Sequence, residues 1–206
     1  ALNYKGDIEI IEAKDLKVGM KLIKHEFPIL TEGPILEDAY TQGFVSAEGM
    51  ELNRTIHVYK PKEMCLERLE NKRRVIWEEN NNRYRVTLDK VPVSKNLVPI
   101  NYNLKSKLEW LAGLFDGDGT ELKEGGLQLV SVNRVFLSNL QKLLSTLGIQ
   151  CKILFANKAG LRSMPNHKDG NSDYYCQDAY RICIGAVQMQ SLKSLGLKCE
   201  RMKFDK

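Results

Sequence analysis

Hydrophobic and polar positions follow one order twice along this chain. Apolar residues at helical spacing, followed by runs in which apolar and polar residues alternate, occur in 36–88 and again in 105–195. In the first block the pattern predicts a helix near 36–47, a strand at 53–59, a charged helix at 60–72, and strands at 73–78 and 83–88. Similar order in both blocks predicts an internal repeat of a whole supersecondary unit.

The second block has longer spacings between its elements. It predicts a helix at 105–117, a strand at 127–132, an amphipathic helix at 134–147, strands near 149–155 and 179–184, and a helix at 186–195. The apolar positions of the amphipathic helix are Val135, Phe136 or Leu137, Leu140, Leu143, Leu144 and Leu147. Between the last two strands, the polar stretch 157–173 is predicted as a long loop, and loops of that length are usually functional or mobile.

Composition narrows the class of protein only slightly. The net charge is +5, with −1 in residues 1–34 and +6 in the rest. Such a bias favours approach to a polyphosphate, but many proteins with no nucleic-acid partner have a similar balance. Five cysteines without a CxxC pair indicate neither a disulfide framework nor a zinc ribbon. The polar first residues and the lack of a run of about 20 apolar residues predict an intracellular protein, cytoplasmic or nuclear, with no membrane span.

Small residues and carboxylates mark the helix at 105–117. Ala112, Gly113 and Gly117 leave a face on which a second backbone could approach closely. Interior glycine costs a helix about 1 kcal/mol relative to alanine, so close helix packing is the natural reason for it. The helix ends in Asp116 and Asp118, where its dipole disfavours negative charge. These carboxylates therefore require a cation, either a metal ion or a neighbouring Lys or Arg.

A partner helix with matching residues occurs in the first block. Gly43 aligns with Gly113, and Glu48 aligns with Asp118. Two such helices packed face to face would bring both carboxylates to the same end. Hard divalent cations prefer oxygen ligands of this kind.

The sequence LAGLFDGDG at 111–119 resembles the motif that names the LAGLIDADG homing endonucleases, and GFVSAEG at 43–49 resembles a looser first copy of it. The resemblance extends from about Leu36 to the end of the chain. It implies an α+β fold of two pseudo-symmetric αββαββα lobes in one monomeric chain, whose four-stranded sheets form a DNA-binding saddle. The first copy departs from the family at Ser46, where Asp is common, and at Glu48, which keeps a carboxylate in place of Asp.

The resemblance also implies an activity and its residues. We expect metal-dependent cleavage of both strands of a long double-stranded DNA site, with Mg²⁺ as the metal and Mn²⁺ as a substitute. The expected metal ligands are the carboxylates of Glu48 and Asp118 and the carbonyls of Ala47 and Gly117. Lys95 begins a block, KNLVP, that resembles one preceding the second motif in intein endonucleases, and we expect it near a scissile phosphate. Asp116 is expected to orient rather than ligate. The matching basic residue of the second lobe is left open between Lys198 and Lys203.

Alternation along two strands predicts a DNA-facing sheet surface. The candidate side chains on it are Asn53, Thr55, His57, Tyr59, Arg83, Arg85 and Thr87. Arginine can bind guanine in the major groove, although a solvated sheet surface would show the same alternation. Further candidates are Lys198 and, in the polar loop, Lys158, Arg162, His167 and Lys168.

Residues 9–22, EIIEAKDLKVGMKL, are similar to a stretch of Hint-type self-splicing domains. This implies an origin in an intein, with a small β-rich remnant of the splicing domain at 1–34, a first lobe at 35–100 and a second at 101–206. Neither a nucleophile at position 1 nor a C-terminal His-Asn is present, so we expect an endonuclease region taken from a larger intein. A generic β-hairpin extension is the alternative for 1–34.

A second function stays open on the same resemblance. The chain could be a LAGLIDADG nucleic-acid-binding protein that does not cleave: a degenerate endonuclease, an RNA maturase or a regulator. Retention of Glu48 and Asp118 favours cleavage. The Hint-like stretch disfavours an intron maturase.

Overall fold

Helices and antiparallel strands alternate through the computed structural model, which describes residues 8–22, 27–48, 54–90, 95–166 and 170–204. The helices are α1 (Ala39–Glu48), α2 (Leu104–Asp118), α3 (Arg134–Ser145) and α4 (Ala186–Ser194). The strands are β1 (Thr55–Tyr59), β2 (Lys72–Glu78), β3 (Arg83–Leu88), β4 (Thr120–Glu121), β5 (Leu127–Ser131), β6 (Lys152–Asn157), β7 (Gly160–Asn166), β8 (Gly170–Cys176) and β9 (Ala179–Ile184). The predicted α+β class is confirmed.

The strands form two sheets and a separate ribbon. The first sheet has the order β1-β3-β2, the second has the order β4-β5-β9-β6, and β7 pairs with β8. All pairs are antiparallel. The second half of the chain follows the expected αββαββα order, with the β7–β8 ribbon inserted between its last two sheet strands. In the first half, the described residues form a three-stranded sheet rather than the expected four-stranded one.

The charged helix predicted at 60–72 is wrong. A 3₁₀ turn occupies Lys60–Leu66, and β2 already begins at Lys72. Within 60–72, only Cys65 and Leu69 are fully buried. Helices in proteins are stabilised mostly by packing of an apolar face, and this stretch has too narrow a face for a regular helix.

The long loop predicted at 157–173 is also wrong, because β7 and β8 occupy most of it. Their pairing runs from Gly160 opposite Cys176 to Asn166 opposite Gly170. Leu161 and Tyr175, a directly opposed pair, are 74% and 73% exposed, so the ribbon rests on no core at this pair. Backbone hydrogen bonds hold such a ribbon together, and they leave no apolar alternation in the sequence. His167 and Lys168 lie outside the described residues.

One hydrophobic core joins α1 and α2 to both sheets and to α3 and α4. Each fully buried Leu or Phe side chain contributes about 1.5–3 kcal/mol relative to an exposed one. In α3, the predicted apolar face is buried except at Val135, which is 70% exposed. The Asn133 side chain accepts a hydrogen bond from the Phe136 amide (3.0 Å) and so begins the helix one residue after itself.

The N-terminal stretch lies outside this core. The structure places only isolated bridge residues, Ile8 and Lys21, within 8–22, where a β-rich remnant was expected. A turn forms within this stretch: the Met20 amide donates to the Lys17 carbonyl (3.2 Å), and Gly19 has φ +96°, which glycine adopts without strain. Farther along, the Lys107 ammonium donates to the Leu30 carbonyl (3.1 Å), so the connecting segment is tied to α2. The domain boundaries at 34 and 100 stay predictions.

Candidate active site at the paired helix ends

Helices α1 and α2 pack with their backbones in contact at two glycines. A Cβ atom built on Gly43 would overlap the carbonyl oxygen of Trp110, and one built on Gly113 would overlap that of Tyr40. Each glycine therefore lies on the residue three positions before the other glycine. This reciprocal arrangement is what a pseudo-two-fold axis between the helices would produce.

The same packing brings the C-terminal ends of both helices together. A Cβ built on Gly117 would overlap the Ala47 methyl group and lie 3.7 Å from Glu48 Cγ. Asp118 follows Gly117 as the last residue of α2, and Glu48 is the last residue of α1. The two carboxylates that the sequence pairs are therefore at adjacent helix ends. In the structure, the Glu48 carboxylate accepts an ion-paired hydrogen bond from the Lys62 ammonium.

Asp118 is exposed at the end of α2, but neighbouring protein atoms partly remove water from around its carboxyl group. That loss of solvation raises the pKa of Asp118, and the positive charges of Lys62, Lys95 and Arg201 partly oppose the rise. The site thus combines two carboxylates with three basic groups. A negatively charged phosphate is the ligand that such a surplus of positive charge favours.

Lys95 lines the same pocket as Asp118. This pocket has a volume of about 310 Å³, and Ala47, Ser131 and Asn133 also line it. Beside Lys95, the Asn96 side chain accepts a hydrogen bond from Asn133 Nδ2 (3.2 Å), which connects this segment to the start of α3. The geometry thus brings the basic residue singled out in the sequence to the carboxylate end of α2.

Asp116 has a different position from Asp118, because it is completely buried. Its carboxylate accepts hydrogen bonds from the Tyr40 hydroxyl (2.8 Å) and from the amides of Glu200 and Arg201 (2.8 and 2.9 Å). Arg201 in turn donates to the carbonyls of Phe115 (2.9 Å), Asp116 (2.7 Å) and Gly119 (2.7 Å). A guanidinium therefore binds the carbonyl end of α2, where a cation is favourable.

The match with known families falls on the part of the chain that contains α2. Residues 105–188 match the sequence model of a family described as a LAGLIDADG-like domain. This part of the chain is a LAGLIDADG-like domain. The match includes the motif helix and both long central strands of the second sheet.

Two solved structures resemble this chain at low sequence identity. Full-length DUF199/WhiA from Thermatoga maritima superposes with a TM-score of 0.51 at 15% identity, covering 82% of this chain and 58% of that one. The homing endonuclease I-DmoI, solved with its target DNA in the presence of manganese, gives a TM-score of 0.49 at 16% identity, covering 81% of this chain and 96% of that one. At 15% identity, the likeness to full-length DUF199/WhiA concerns the fold alone.

A curated relative is much longer than this chain. The ribonucleoside-diphosphate reductase large subunit of Invertebrate iridescent virus 6 is 29% identical over 211 aligned residues. The alignment covers 98% of this chain and 22% of that protein. The chain thus spans about a fifth of the length of the curated relative it matches.

Preceding the LAGLIDADG-like domain, the first sheet presents a polar face. The register sets Thr55 opposite Thr87, His57 opposite Arg85 and Tyr59 opposite Arg83. Opposed residues of an antiparallel pair lie on the same face, so the candidates of both strands share one surface. Val86 and Leu88 alternate with them and are buried. Asn53 lies outside the described residues.

Glu78, the last residue of β2, was not singled out in the sequence, yet it lies opposite Arg83 and contacts this polar face. Its carboxylate pairs with Arg83 Nε (2.8 Å) and Arg85 Nε (3.2 Å). These arginines hold the pKa of Glu78 below its ordinary value. Nearby, burial and the charge of Arg83 lower the pKa of His57, so this imidazole favours its neutral form. Glu78 thus orients two arginines and reduces the positive charge that they present.

The second sheet and the ribbon carry the remaining candidates. On the outer face of the sheet, the register aligns Arg181 of β9 with exposed Val130 and Leu154, a more apolar surface than that of the first sheet. Lys158 is exposed just before β7, and its carbonyl accepts a hydrogen bond from Arg162 Nη2 (3.2 Å). Lys198 is exposed in the C-terminal segment, where its carbonyl accepts from Arg68. Arg181 was not predicted.

The protein supplies only part of the oxygen ligands that a hard divalent cation needs. Among the described residues, no group of three or more His, Cys, Asp or Glu side chains could hold a metal ion. Magnesium usually binds through one or two carboxylates and completes its shell with water and phosphate oxygens. Glu48 and Asp118 meet that requirement if DNA supplies the phosphate.

None of the described helices has the length and apolar character to cross a membrane.

Proposed function

We propose that this chain is a site-specific DNA endonuclease that hydrolyses both strands of a long recognition site. The observation that carries the proposal is the meeting of Glu48 and Asp118 at the ends of two backbone-packed helices. The repeat gives each helix one terminal carboxylate, as a reaction on two strands requires. The polar face of the first sheet and the Arg181 face of the second supply the surfaces that would bind the duplex.

In this proposal, Glu48 and Asp118 hold divalent cations, Mg²⁺ in the cell and Mn²⁺ as a substitute, together with the carbonyls of Ala47 and Gly117. When bound, these cations would lower the pKa of a water molecule and stabilise negative charge on the phosphate. Lys95, in the pocket beside Asp118, neutralises charge on the scissile phosphate. The paired glycines permit the close helix contact that sets the spacing of the two carboxylates, since a side chain at either position would overlap the partner backbone.

We also propose that the chain belongs to an intein embedded in a host protein. Two observations support this origin: the Hint-like stretch at 9–22, and the alignment of nearly the whole chain to about a fifth of a ribonucleoside-diphosphate reductase large subunit. On this proposal, the host is a protein of that type. The DNA target is then the host gene without the insertion.

One observation favours the alternative of a DNA-binding protein that does not cleave. Lys62 already neutralises the Glu48 carboxylate, which the endonuclease needs as a metal ligand. If this ion pair persisted on DNA, the chain would bind a duplex and leave it intact. The two functions therefore differ in whether the bound DNA is cut.

A plasmid cleavage assay separates them. Purified chain with Mg²⁺ should linearise a plasmid that carries the uninterrupted host sequence, and should spare a plasmid in which the insertion interrupts it. EDTA should abolish linearisation. Binding in a gel shift without cleavage in Mg²⁺ or Mn²⁺ would support the alternative. The absence of both binding and cleavage would contradict the proposed target.

A further inference from the structure

A lysine of the protein itself pairs with Glu48, the carboxylate of the first motif. The Lys62 ammonium pairs with Glu48, and the two side chains are only 21% and 13% exposed. The Lys62 backbone belongs to the 3₁₀ turn Lys60–Leu66, which completely buried Cys65 anchors in the core. The turn is therefore fixed, and the Lys62 side chain is the part that can move.

The other basic groups of the site are held elsewhere or act on the other carboxylate. Arg201 is engaged with three carbonyls at the end of α2. Lys95 lines the Asp118 pocket. Lys62 is the basic group that forms the ion pair with Glu48, and its charge also reaches Asp118.

We propose that Lys62 is a positioning residue that holds Glu48 in the DNA-free protein and releases it to a divalent cation when a DNA phosphate binds the ammonium group. The proposal rests on the endonuclease function proposed above. A metal ion and Lys62 carry charge of the same sign, so they compete for one carboxylate. Lysine binds phosphate as a compact charge on a flexible stem and can follow a phosphate without backbone movement.

Competition of this kind couples the binding of metal and DNA. In the DNA-free protein, only the fraction of molecules with Glu48 released can bind the cation, so the apparent metal affinity is reduced by that fraction. A bound phosphate raises the fraction. By reciprocity, metal then strengthens DNA binding by the same factor. The protein would thus acquire its metal mainly on its target.

The test measures Mn²⁺ binding to the protein without DNA, by electron paramagnetic resonance or calorimetry. Lys62→Met should bind Mn²⁺ about tenfold more tightly than the wild type, within the roughly 5–150-fold range typical of coupled sites. Lys60→Met is the matched control: it removes the same charge from an exposed position of the same turn, and its affinity should stay near that of the wild type. Lys62→Arg, which keeps a cation beside Glu48, should also resemble the wild type.

Several outcomes would overturn the proposal. These are an unchanged or weaker Mn²⁺ affinity in Lys62→Met, an equal gain in Lys60→Met, or no Mn²⁺ binding by any DNA-free variant. Lys62→Gln provides the same comparison if the Met variant does not fold, as judged by circular dichroism. The Mn²⁺-binding test contains no DNA, so its result is independent of the cleavage assay. A chain that cleaves its plasmid but fails the Mn²⁺ test would refute only the role of Lys62. Cleavage failure with a positive Mn²⁺ result would refute the endonuclease proposal instead.

Discussion

A methyl group moved across the helix interface gives a quantitative test of the packing beneath the site. In the structure, Ala47 presents its Cβ to Gly117, and a second Cβ at position 117 would overlap it. Gly117→Ala alone should therefore force the helix ends apart. Adding Ala47→Gly restores one methyl group between the helices, contributed from the opposite side. Residues 47 and 117 are each the penultimate residue of their helix, so the two changes in helix propensity oppose each other.

The expected magnitudes follow from this geometry. Gly117→Ala gains about 1 kcal/mol of helix propensity and loses about 1–3 kcal/mol to the overlap. Ala47→Gly loses about 1 kcal/mol of propensity. The double variant keeps one methyl group between the helices, and its two changes in helix propensity cancel. Its free energy of unfolding should therefore lie within about 0.5 kcal/mol of that of the wild type, the scatter expected of unperturbed sites. The coupling free energy between the two positions is then about 1–3 kcal/mol, which equals the cost of the overlap.

Urea denaturation of the four proteins measures this coupling. Thermal melts provide a second readout, with about 2–4 °C per kcal/mol for a chain of this size. Gly43→Ala serves as a contrast, because its Cβ would meet the Trp110 carbonyl, which no side-chain substitution can remove. Additive effects of Gly117→Ala and Ala47→Gly, with no coupling, would refute the contact between the helix ends.

Three further predictions concern charge and assembly. Because burial raises the pKa of Asp118 in the folded chain, ionisation of this group opposes folding at neutral pH and not below its unfolded pKa of about 3.9. Asp118→Asn should therefore melt at a higher temperature than the wild type at pH 7, and the difference should vanish toward pH 3. A lower melting temperature of this variant at pH 7 would contradict the reasoning. Glu78→Gln should tighten DNA binding by releasing Arg83 and Arg85, whereas Arg85→Ala should weaken it and reduce the slope of log K against log salt by about 0.9; anisotropy titrations that show unchanged slopes would place DNA elsewhere. Since α1 finds its partner α2 within one chain, sedimentation should show a monomer, and an obligate dimer would contradict the intramolecular pairing.

Local patterns in the sequence were sufficient for the elements whose packing is recorded in their spacing. The small residues of α2 and the alternation of RYRVTL predict the helix interface and the polar sheet face, because each side chain's environment follows from its neighbours in the chain. The start of α1 was less accessible: Asp38, with φ +51°, keeps the helix from beginning before Ala39, and only tertiary structure fixes that conformation.

Two of the missed residues act across a long distance in the chain or from irregular backbone, and a third depends on how two strands pair. Arg201 binds the end of α2 from more than 80 positions away, and no spacing rule connects them. Lys62 reaches Glu48 from a 3₁₀ turn that the sequence predicted as a helix, which would have directed the side chain differently. Glu78 was predicted within a strand, but its link to two arginines depends on the register of β2 against β3.

The most direct test of the account compares cleavage and binding by the two carboxylate variants on one DNA substrate. Glu48→Gln and Asp118→Asn should each abolish double-strand cleavage in Mg²⁺, while DNA affinity in a gel shift stays equal or rises, because each removes a negative charge near the phosphates. Glu124→Gln removes one negative charge from an exposed turn and should cut like the wild type. Cleavage at the wild-type rate by either Glu48→Gln or Asp118→Asn would contradict the assignment of the active site to the paired helix ends.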